Sequence, residues 1–143
     1  MNWIYKNKEI KSTEDVPKDR TFMVYQITFN DNTYYIGSQQ VYSKLNTRIS
    51  KKRANELYSG KGRKPTKEEK IVEKKGWKEY CSSSKLVQKR CLEEPYIKKI
   101  LAFYSTKTEM LLQETFLIIK AFLKKDKKIL NEWINIKSPK IKI

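Results

Sequence analysis

The segment from Thr21 to Ser38 decides the fold, and it reads TFMVYQITFNDNTYYIGS. Two runs rich in β-branched and aromatic residues flank Asn30-Asp31-Asn32. Because Asn and Asp tolerate the left-handed conformations that tight turns need, this pattern predicts two antiparallel strands joined by a short turn. Tyr25 and Tyr35 stand ten residues apart, so pairing of the strands can bring their phenols close together. Taken alone, such a hairpin is typical of many proteins and indicates no chemistry.

The composition indicates a folded, strongly basic protein. With 143 residues, of which 38% are hydrophobic and 12% aromatic, the chain is long enough to bury one core. Its 32 Lys and Arg against 16 Asp and Glu give a net charge of +16. Such an excess repels itself in the compact state unless a polyanion neutralises it. Nucleic acid is therefore the leading partner, and an anionic membrane surface or a ribosome is the alternative.

Several classes of protein are excluded by what the sequence lacks. No apolar run has the length of a membrane span, and the N-terminus lacks the layout of a secretory signal, so we expect a cytoplasmic protein. The chain has no histidine, which excludes a histidine general base and argues against a zinc site. Cys81 and Cys91 are interpreted as reduced thiols. Acid–base work must then fall to Tyr, Lys, carboxylates or metal-bound water.

The N-terminal part (1–20) predicts a small hairpin, or else a strand and a turn, with Trp3 packed on the sheet. The segment that follows the central hairpin (44–78) is a basic insertion. It holds thirteen Lys and Arg against four Glu. We predict a helix over 48–58, a break at the Gly and Pro residues of 59–65, and a second short helix from 66 towards 76. This basic insertion (44–78) is either a solvated loop or a segment that binds the DNA backbone. The residues predicted to bind the DNA backbone are Lys51, Lys52, Arg53, Lys61, Arg63 and Lys64.

Beyond the insertion, the serines at 82–84 are N-cap candidates for a helix that Pro95 ends. Ser83, Ser84 and Lys85 would also suit a phosphate, although capping explains the serines equally well. A third strand is predicted at 97–104.

After that strand, the sequence predicts a helix over 107–124, with Thr106 and Glu109 at capping-box spacing. Because that helix is apolar around much of its circumference, we expect it to be largely covered. The tail predicts a last short strand or an extended segment at 129–136 and a frayed end at 137–143. No internal repeat or second domain is apparent.

Glu114 interrupts the apolar helix. It lies three residues after Leu111 and four before Ile118, which places its carboxylate on the stripe that those two residues define. An inward carboxylate costs several kcal/mol unless a cation compensates it. Either a salt bridge to a nearby Lys or Arg or a role as metal ligand or catalytic group would account for it.

In their order along the chain, these features resemble the GIY-YIG nuclease family, in particular its small free-standing phage members described as homing endonucleases. The resemblance covers nearly the whole chain. It is carried by Val24-Tyr25, by Tyr35-Ile36-Gly37-Ser38, by the basic insertion and by Trp77-Lys78-Glu79-Tyr80 before the serines. The stretch Thr108-Glu109-Met110-Leu111-Leu112-Gln113-Glu114 completes the set.

The resemblance implies an α+β fold, with a three-stranded antiparallel sheet (21–29, 33–38 and 98–104) flanked by helices in one nuclease domain over 1–143. It implies a metal-dependent DNA endonuclease of homing or nicking type, in a bacterial host cytoplasm if phage-encoded. One Mg²⁺ or Mn²⁺ would bind Glu114. DNA is the expected substrate, with RNA left open, and the protein is expected to be a monomer or a weak dimer.

The family's site residues carry over one by one. Tyr25 and Tyr35 match the motif tyrosines, either of which would serve as the base, with its pKa lowered by nearby metal and cations. Gly37 matches the glycine that permits close approach, and Asn131 a supporting asparagine. The cation that holds the scissile phosphate, carried by a helix after the second motif, would be Arg48, or else Lys44 or Arg53.

Two positions depart from the family pattern. Met23 replaces the glycine of the first motif, and Ser82 stands where a glycine is expected. Neither removes a group that the chemistry needs. The competing hypotheses are a non-catalytic nucleic-acid-binding protein that retains the fold, and a ribosome- or RNA-associated basic protein.

Overall fold

A computed structural model describes residues 1–132. The chain forms two compact units, the first from Met1–Val41 together with the chain from Lys75 onward, and the second from Tyr42–Lys74. The elements in chain order are β1 (Ile4–Tyr5), β2 (Lys8–Glu9), β3 (Phe22–Phe29), β4 (Tyr34–Gln40), β5 (Tyr42–Arg48), α1 (Lys51–Leu57), β6 (Lys67–Glu73), α2 (Lys85–Glu93), β7 (Tyr96–Tyr104) and α3 (Lys107–Leu123). The predicted basic insertion thus corresponds closely to the second unit.

The first unit is built on a mixed sheet in the order β2-β1-β7-β3-β4. Its centre is the predicted set of three antiparallel strands, because β3 pairs antiparallel with both β4 and β7. The expectation of three strands is nevertheless wrong, since the described residues contribute five to this sheet. Lys6 and Asn7 adopt positive φ angles and turn the chain back, so that β1 pairs with β2 and, in parallel, with β7.

The register of the β3–β4 hairpin assigns its side chains to two faces. Tyr25 lies opposite Gly37, and Ile27 lies opposite Tyr35. Since side chains alternate along a strand, both tyrosines belong to one face of the sheet. Val24 and Ile36 belong to the other face, where they form a buried cluster with Met110 and Ile118 of α3.

Helices α2 and α3 begin where their caps predict. The Ser84 hydroxyl accepts a hydrogen bond from the backbone N–H of Val87, and the Thr106 hydroxyl accepts one from Glu109. The expectation that α3 is largely covered is wrong, because Phe116 is 57% exposed and Leu123 78% exposed. One stripe of α3, which includes Met110, Ile118 and Ala121, is buried.

On the tyrosine face, Trp3 is buried as predicted. Its ring lies 5.0 Å from that of Tyr25, and its indole N–H donates to the backbone carbonyl of Trp77 over 3.1 Å. The ammonium of Lys98 lies 4.4 Å from the centre of the Trp3 ring and donates to the carbonyl of Lys78. Burial lowers the pKa of Lys98, which is 1% exposed. The packing of Trp3 against Tyr25 restricts the position of the Tyr25 ring.

The second unit pairs β5 antiparallel with β6, with α1 between them in the chain. The predicted helix over 48–58 begins only at Lys51, because the Ser50 hydroxyl caps it by accepting from the N–H of Arg53. Arg48 therefore ends a strand that the sequence analysis did not predict. The predicted helix from 66 towards 76 is wrong, since this segment is β6. Its charged sequence offers no apolar helical stripe, whereas β-branched Ile71 and Val72 suit pairing with β5.

After α3 the chain returns to the free edge of the sheet. Ile129 forms a parallel bridge with Tyr34, which agrees with the start of the predicted last strand. Residues 130–132 form no strand. The rest of the predicted element (133–136) and the predicted frayed end (137–143) lie outside the described residues. None of the described helices combines the length and apolar character needed to cross a bilayer.

Candidate active site

A cavity of about 720 Å³ lies in the first unit, where β4, α2, α3 and the chain after α3 meet. Its apolar lining comes from Leu86, Leu111, Ile118 and Leu130, with Thr115 beside them. Its polar lining is made by Tyr35, Ser83, Ser84, Lys85, Lys107, Glu114, Asn131 and Glu132. The structure thus brings together six of the predicted site residues, from four separate parts of the chain.

Glu114 is the half-buried carboxylate of this cavity, on the helical stripe that the sequence predicted. The hydroxyl of Ser38 donates a hydrogen bond of 2.5 Å to its Oε2 atom. Within residues 1–132, no Lys or Arg forms an ion pair with it, so the predicted salt bridge is not found there. Burial raises the pKa of the Glu114 carboxyl, and the Ser38 hydrogen bond offsets part of this rise. Glu114 therefore has no charge partner in the described part of the chain.

The two motif tyrosines have different environments. Tyr35 is partly exposed and lines the cavity, whereas Tyr25 is 1% exposed and packs against the rings of Trp3 and Tyr80. Burial, more than any other cause, raises the pKa of both phenols, although a hydrogen bond with Ser83 acts in the opposite direction on Tyr35. No described cation is among the causes that shift the pKa of either phenol, and the lowering of a tyrosine pKa by a metal ion stays a prediction. Tyr35 is the better placed of the two to meet a substrate.

Gly37 provides room for Tyr25. A Cβ atom at residue 37 would stand 2.5 Å from Cζ of Tyr25, closer than real contacts allow. The predicted need for a glycine is therefore explained by packing inside the protein. A contact of Gly37 with nucleic acid stays a prediction.

Asn131 completes the free edge of β4. Its side-chain carbonyl accepts from the N–H of Ile36 over 3.0 Å, and its amide N–H donates to the carbonyl of the same residue over 2.8 Å. One amide side chain thus satisfies both backbone groups of Ile36, as a neighbouring strand would. Because Ile36 lies between Tyr35 and Gly37, Asn131 positions the edge of the cavity.

Ser82 has the backbone conformation of a glycine. Its φ angle is +93°, and the residue is buried. Its hydroxyl accepts from the N–H of Ser84 over 3.1 Å, and its carbonyl accepts from the side chain of Gln88 over 2.7 Å. These bonds hold the turn that presents Ser83 to the cavity. The expectation of a glycine at this position thus has a conformational basis.

Among the described residues, two lysines line the cavity, and only Lys85 was predicted. The other, Lys107, is the first residue of α3 and lies seven residues before Glu114, that is, two helical turns away on the same stripe. That spacing is the signal that could have identified Lys107 from the sequence. Each lysine is the first residue of a helix, where the helix dipole adds positive potential.

The other predicted cations belong to the second unit. Lys44 forms an ion pair with Glu69 at 3.4 Å, and Arg53 binds both Glu56 and Glu68. Lys51 and Lys52 are exposed on α1, and Lys61, Arg63 and Lys64 are exposed in the connection to β6. Arg48 ends β5, so it is not on the helix that the resemblance implied. The roles of these cations at the scissile phosphate or on DNA stay predictions.

A family model described as "Putative endonuclease segE, GIY-YIG domain" matches residues 3–137. The chain belongs to the GIY-YIG nuclease family. Membership implies nuclease activity and therefore a nucleic acid as substrate. No match was found among curated proteins or among solved structures.

This GIY-YIG domain fits the single metal ion that its family implies. In the described part of the chain, no group of three or more Cys, Asp or Glu side chains could hold a metal ion. An ion at Glu114 would then take its other ligands from water, from the substrate or from the exposed Glu132, which also lines the cavity. Mg²⁺ and Mn²⁺ accept such a shell of hard oxygen ligands. The half-buried carboxylate of Glu114, which forms no ion pair with any described residue, is the observation that supports this fit.

Proposed function

We propose that this GIY-YIG domain is a divalent-metal-dependent DNA endonuclease and that the Glu114 cavity is its active site. The single observation that carries the proposal is the half-buried Glu114, which has no ion-pair partner among the described residues and lies beside Tyr35 and Asn131. A folded protein retains an uncompensated carboxylate of this kind chiefly where function requires it. Glu114 would hold one Mg²⁺ or Mn²⁺, which supplies Lewis-acid polarisation of the phosphate when bound.

The cavity has its own means of neutralising a phosphodiester. Lys85 and Lys107 lie on its lining, and neither forms an ion pair with a described carboxylate. Both begin helices, whose dipoles favour an anion at that end. Ser83 and Ser84 add hydroxyl groups at the same place. We therefore assign to these two lysines the stabilisation of charge on the phosphoryl oxygens in the transition state.

Tyr35 is the proposed general base. Its phenol lines the cavity and lies among groups that would surround the attacking water. Because burial raises its pKa, the deprotonated form is scarce at neutral pH. The proposal therefore includes a cleavage rate that rises with pH through the alkaline range. Tyr25, which is buried against Trp3 and Tyr80, is a positioning residue.

One active site with one proposed metal ligand, Glu114, suits the hydrolysis of one strand at each encounter. We propose nicking as the elementary reaction, with a double-strand break requiring a second visit or a second copy of the chain. The segE name of the family model favours a phage-encoded endonuclease, and the homing type is part of our proposal.

The decisive experiment measures nicking of supercoiled plasmid DNA with Mg²⁺ for the wild type, Glu114→Gln and Tyr35→Phe. We expect each variant to reduce the rate, with a loss of about 10²–10³-fold for Glu114→Gln. Glu109→Gln is the matched control, because Glu109 is exposed on the first turn of the same helix. It should cut at the wild-type rate. Omission of Mg²⁺ should abolish cutting by every form.

Two outcomes would contradict the proposal. If the wild type binds DNA but none of the proteins cuts with Mg²⁺ or Mn²⁺, the chain is a non-catalytic binding protein that retains the nuclease fold. If Glu114→Gln cuts as fast as Glu109→Gln, the Glu114 cavity is not the active site.

A further inference from the structure

The second unit carries a charge excess that its own fold does not compensate. Residues 42–74 contain eleven Lys and Arg against four Glu, an excess of seven positive charges in thirty-three residues. The fold of this unit is a two-stranded ribbon, β5 and β6, with α1 in the connection. A ribbon of this size is only marginally stable. Its retention of repelling charges therefore requires an explanation.

The ribbon has one covered and one open face. Thr47 lies opposite Glu68 on the covered face, where Arg53 of α1 binds Glu68 with Nη2–Oε1 at 2.8 Å. Side chains alternate along each strand, so Arg48 and Lys67 belong to the opposite face. The residues of this opposite face from the Lys44–Ile71 pair to the Arg48–Lys67 pair are all exposed. Ile71 is 65% exposed. No described element covers this second face.

Two like charges stand directly opposite each other at the α1 end of the open face. Arg48 and Lys67 are cross-strand partners. Like charges at such positions destabilise a ribbon. Neither forms an ion pair with a carboxylate of the described chain, and the nearest carboxylate along the face, that of Glu69, binds Lys44 at 3.4 Å. No carboxylate of the described residues thus forms an ion pair that would offset the repulsion between Arg48 and Lys67.

The first turn of α1, which adjoins this end of the ribbon, also carries positive charges in an unfavourable position. Lys51 and Lys52 follow Arg48 closely in the chain, and the first turn of α1 contains no acidic residue. Cations are disfavoured in the first turn of a helix. The ribbon end and the helix start are joined by a hydrogen bond of 3.1 Å from the N–H of Ile49 to the carbonyl of Thr66. Two unfavourable electrostatic arrangements therefore meet at one end of the unit, which is typical of a functional surface.

We propose that the open face of the ribbon, with Arg48 and Lys67 at its α1 end, holds the duplex DNA substrate. A two-stranded ribbon fits the major groove, and Asn46 lies on the same face between Lys44 and Arg48. Phosphates on the groove edge would take the place of the missing counter-charge. Arg48 thus contributes to substrate binding, and the cavity lysines act on the phosphate that is cut. This inference rests on the proposed nuclease function for its substrate.

The test measures binding of a labelled 30-base-pair duplex in EDTA as a function of salt concentration. We expect the double variant Arg48→Gln/Lys67→Gln to reduce the slope of log K against log salt by about 2, and affinity by about tenfold or more. The matched control, Lys70→Gln/Lys8→Gln, removes the same charge from the other ribbon face and from β2 and should change both much less. Arg48→Lys, which keeps the charge, should retain the slope.

Single-turnover cleavage separates binding from catalysis. With the double variant, the protein concentration at half-maximal rate should rise while the rate at saturation stays within about twofold of wild type. The inference is overturned if the double variant binds like its control, or if it loses affinity for single strands but not for the duplex. A fall in the saturated rate with unchanged binding would overturn it too and would make Arg48 a catalytic residue. If the wild type does not cut, the proposed function fails, and the binding measurement still decides this inference.

Discussion

The ring of Tyr25 occupies the space above Gly37 that any other residue's Cβ atom would need. The two residues are directly paired across the β3–β4 hairpin, and Cζ of Tyr25 lies 2.5 Å from the Cβ position of residue 37. Trp3 and Tyr80 pack on the same ring, so Tyr25 has little room to move. The glycine of the second motif is thus explained by the tyrosine of the first.

Gly37→Ala should therefore destabilise the protein by about 1–3 kcal/mol, because overpacking a well-packed site forces ring and backbone to shift. Urea unfolding measures the change in free energy. In a Tyr25→Leu background, which removes the ring, the same substitution should cost at least about 1 kcal/mol less. Additive effects of Gly37→Ala and Tyr25→Leu would contradict this account.

The sequence was most informative where local pattern and tertiary packing agree. The β3–β4 hairpin and α3 were predicted correctly because alternation, Asn30-Asp31-Asn32 and the Thr106 cap specify them locally. Strand β6 was predicted as a helix because its pairing with β5 is a non-local relationship that charged residues such as Lys67 and Glu68 do not signal. The addition of β1 and β2 to the sheet likewise depends on contacts with β7, far along the chain.

The candidate site likewise contains residues that local pattern identifies and residues that only the tertiary fold brings together. Glu114 was identified from the helical stripe alone, since a carboxylate between Leu111 and Ile118 breaks an apolar pattern. Lys107 was missed because a lysine at a helix start is ordinary on a surface. The cavity that gives Lys107 a role forms only when α2, α3 and β4 meet.

Replacement of Glu114 by Gln should stabilise the protein at neutral pH. Since burial raises the pKa of Glu114 from 4.5, the folded protein keeps the proton to higher pH than the unfolded chain does. Wild type therefore loses stability relative to Glu114→Gln as pH rises through this interval. We expect near-equal stability at pH 4 and a gain of about 1 kcal/mol for the variant at pH 8.

Urea unfolding at both pH values, with and without Mg²⁺, measures this effect. Mg²⁺ should stabilise the wild type and leave Glu114→Gln unchanged, because an ion that binds the folded state alone shifts the unfolding equilibrium. Glu109→Gln is the control. Its stability relative to the wild type should not change with pH, and it should keep the stabilisation by Mg²⁺. An equal Mg²⁺ response in all three proteins would argue against Glu114 as the metal ligand.

Replacement of Asn131 by Asp should loosen the edge of β4 at the cavity. The Asn131 amide now donates to the carbonyl of Ile36, and a carboxylate in its place would repel that oxygen. We expect a loss of about 1–3 kcal/mol in stability and faster hydrogen exchange at the N–H of Ile36. Exchange at Val24, within the sheet, should change less. An unchanged exchange rate at Ile36 would show that Asn131 does not hold the edge.

Ser82 offers a test in which backbone strain and a hydrogen bond are separated. Its φ angle of +93° favours glycine, and its hydroxyl accepts from the N–H of Ser84. Ser82→Ala loses the hydrogen bond and keeps the strain, so it should destabilise by about 1 kcal/mol. Ser82→Gly loses the same bond but relieves the strain, so it should be more stable than Ser82→Ala by about 1 kcal/mol.

Thermal or urea unfolding of these two variants and the wild type measures the difference. Both variants remove the hydroxyl, so the comparison between them isolates the backbone. Nicking by Ser82→Gly should stay near the wild-type rate, because Ser83 and the cavity lining are retained. If Ser82→Gly is no more stable than Ser82→Ala, the strain at residue 82 is negligible, and the glycine expected here has no conformational reason.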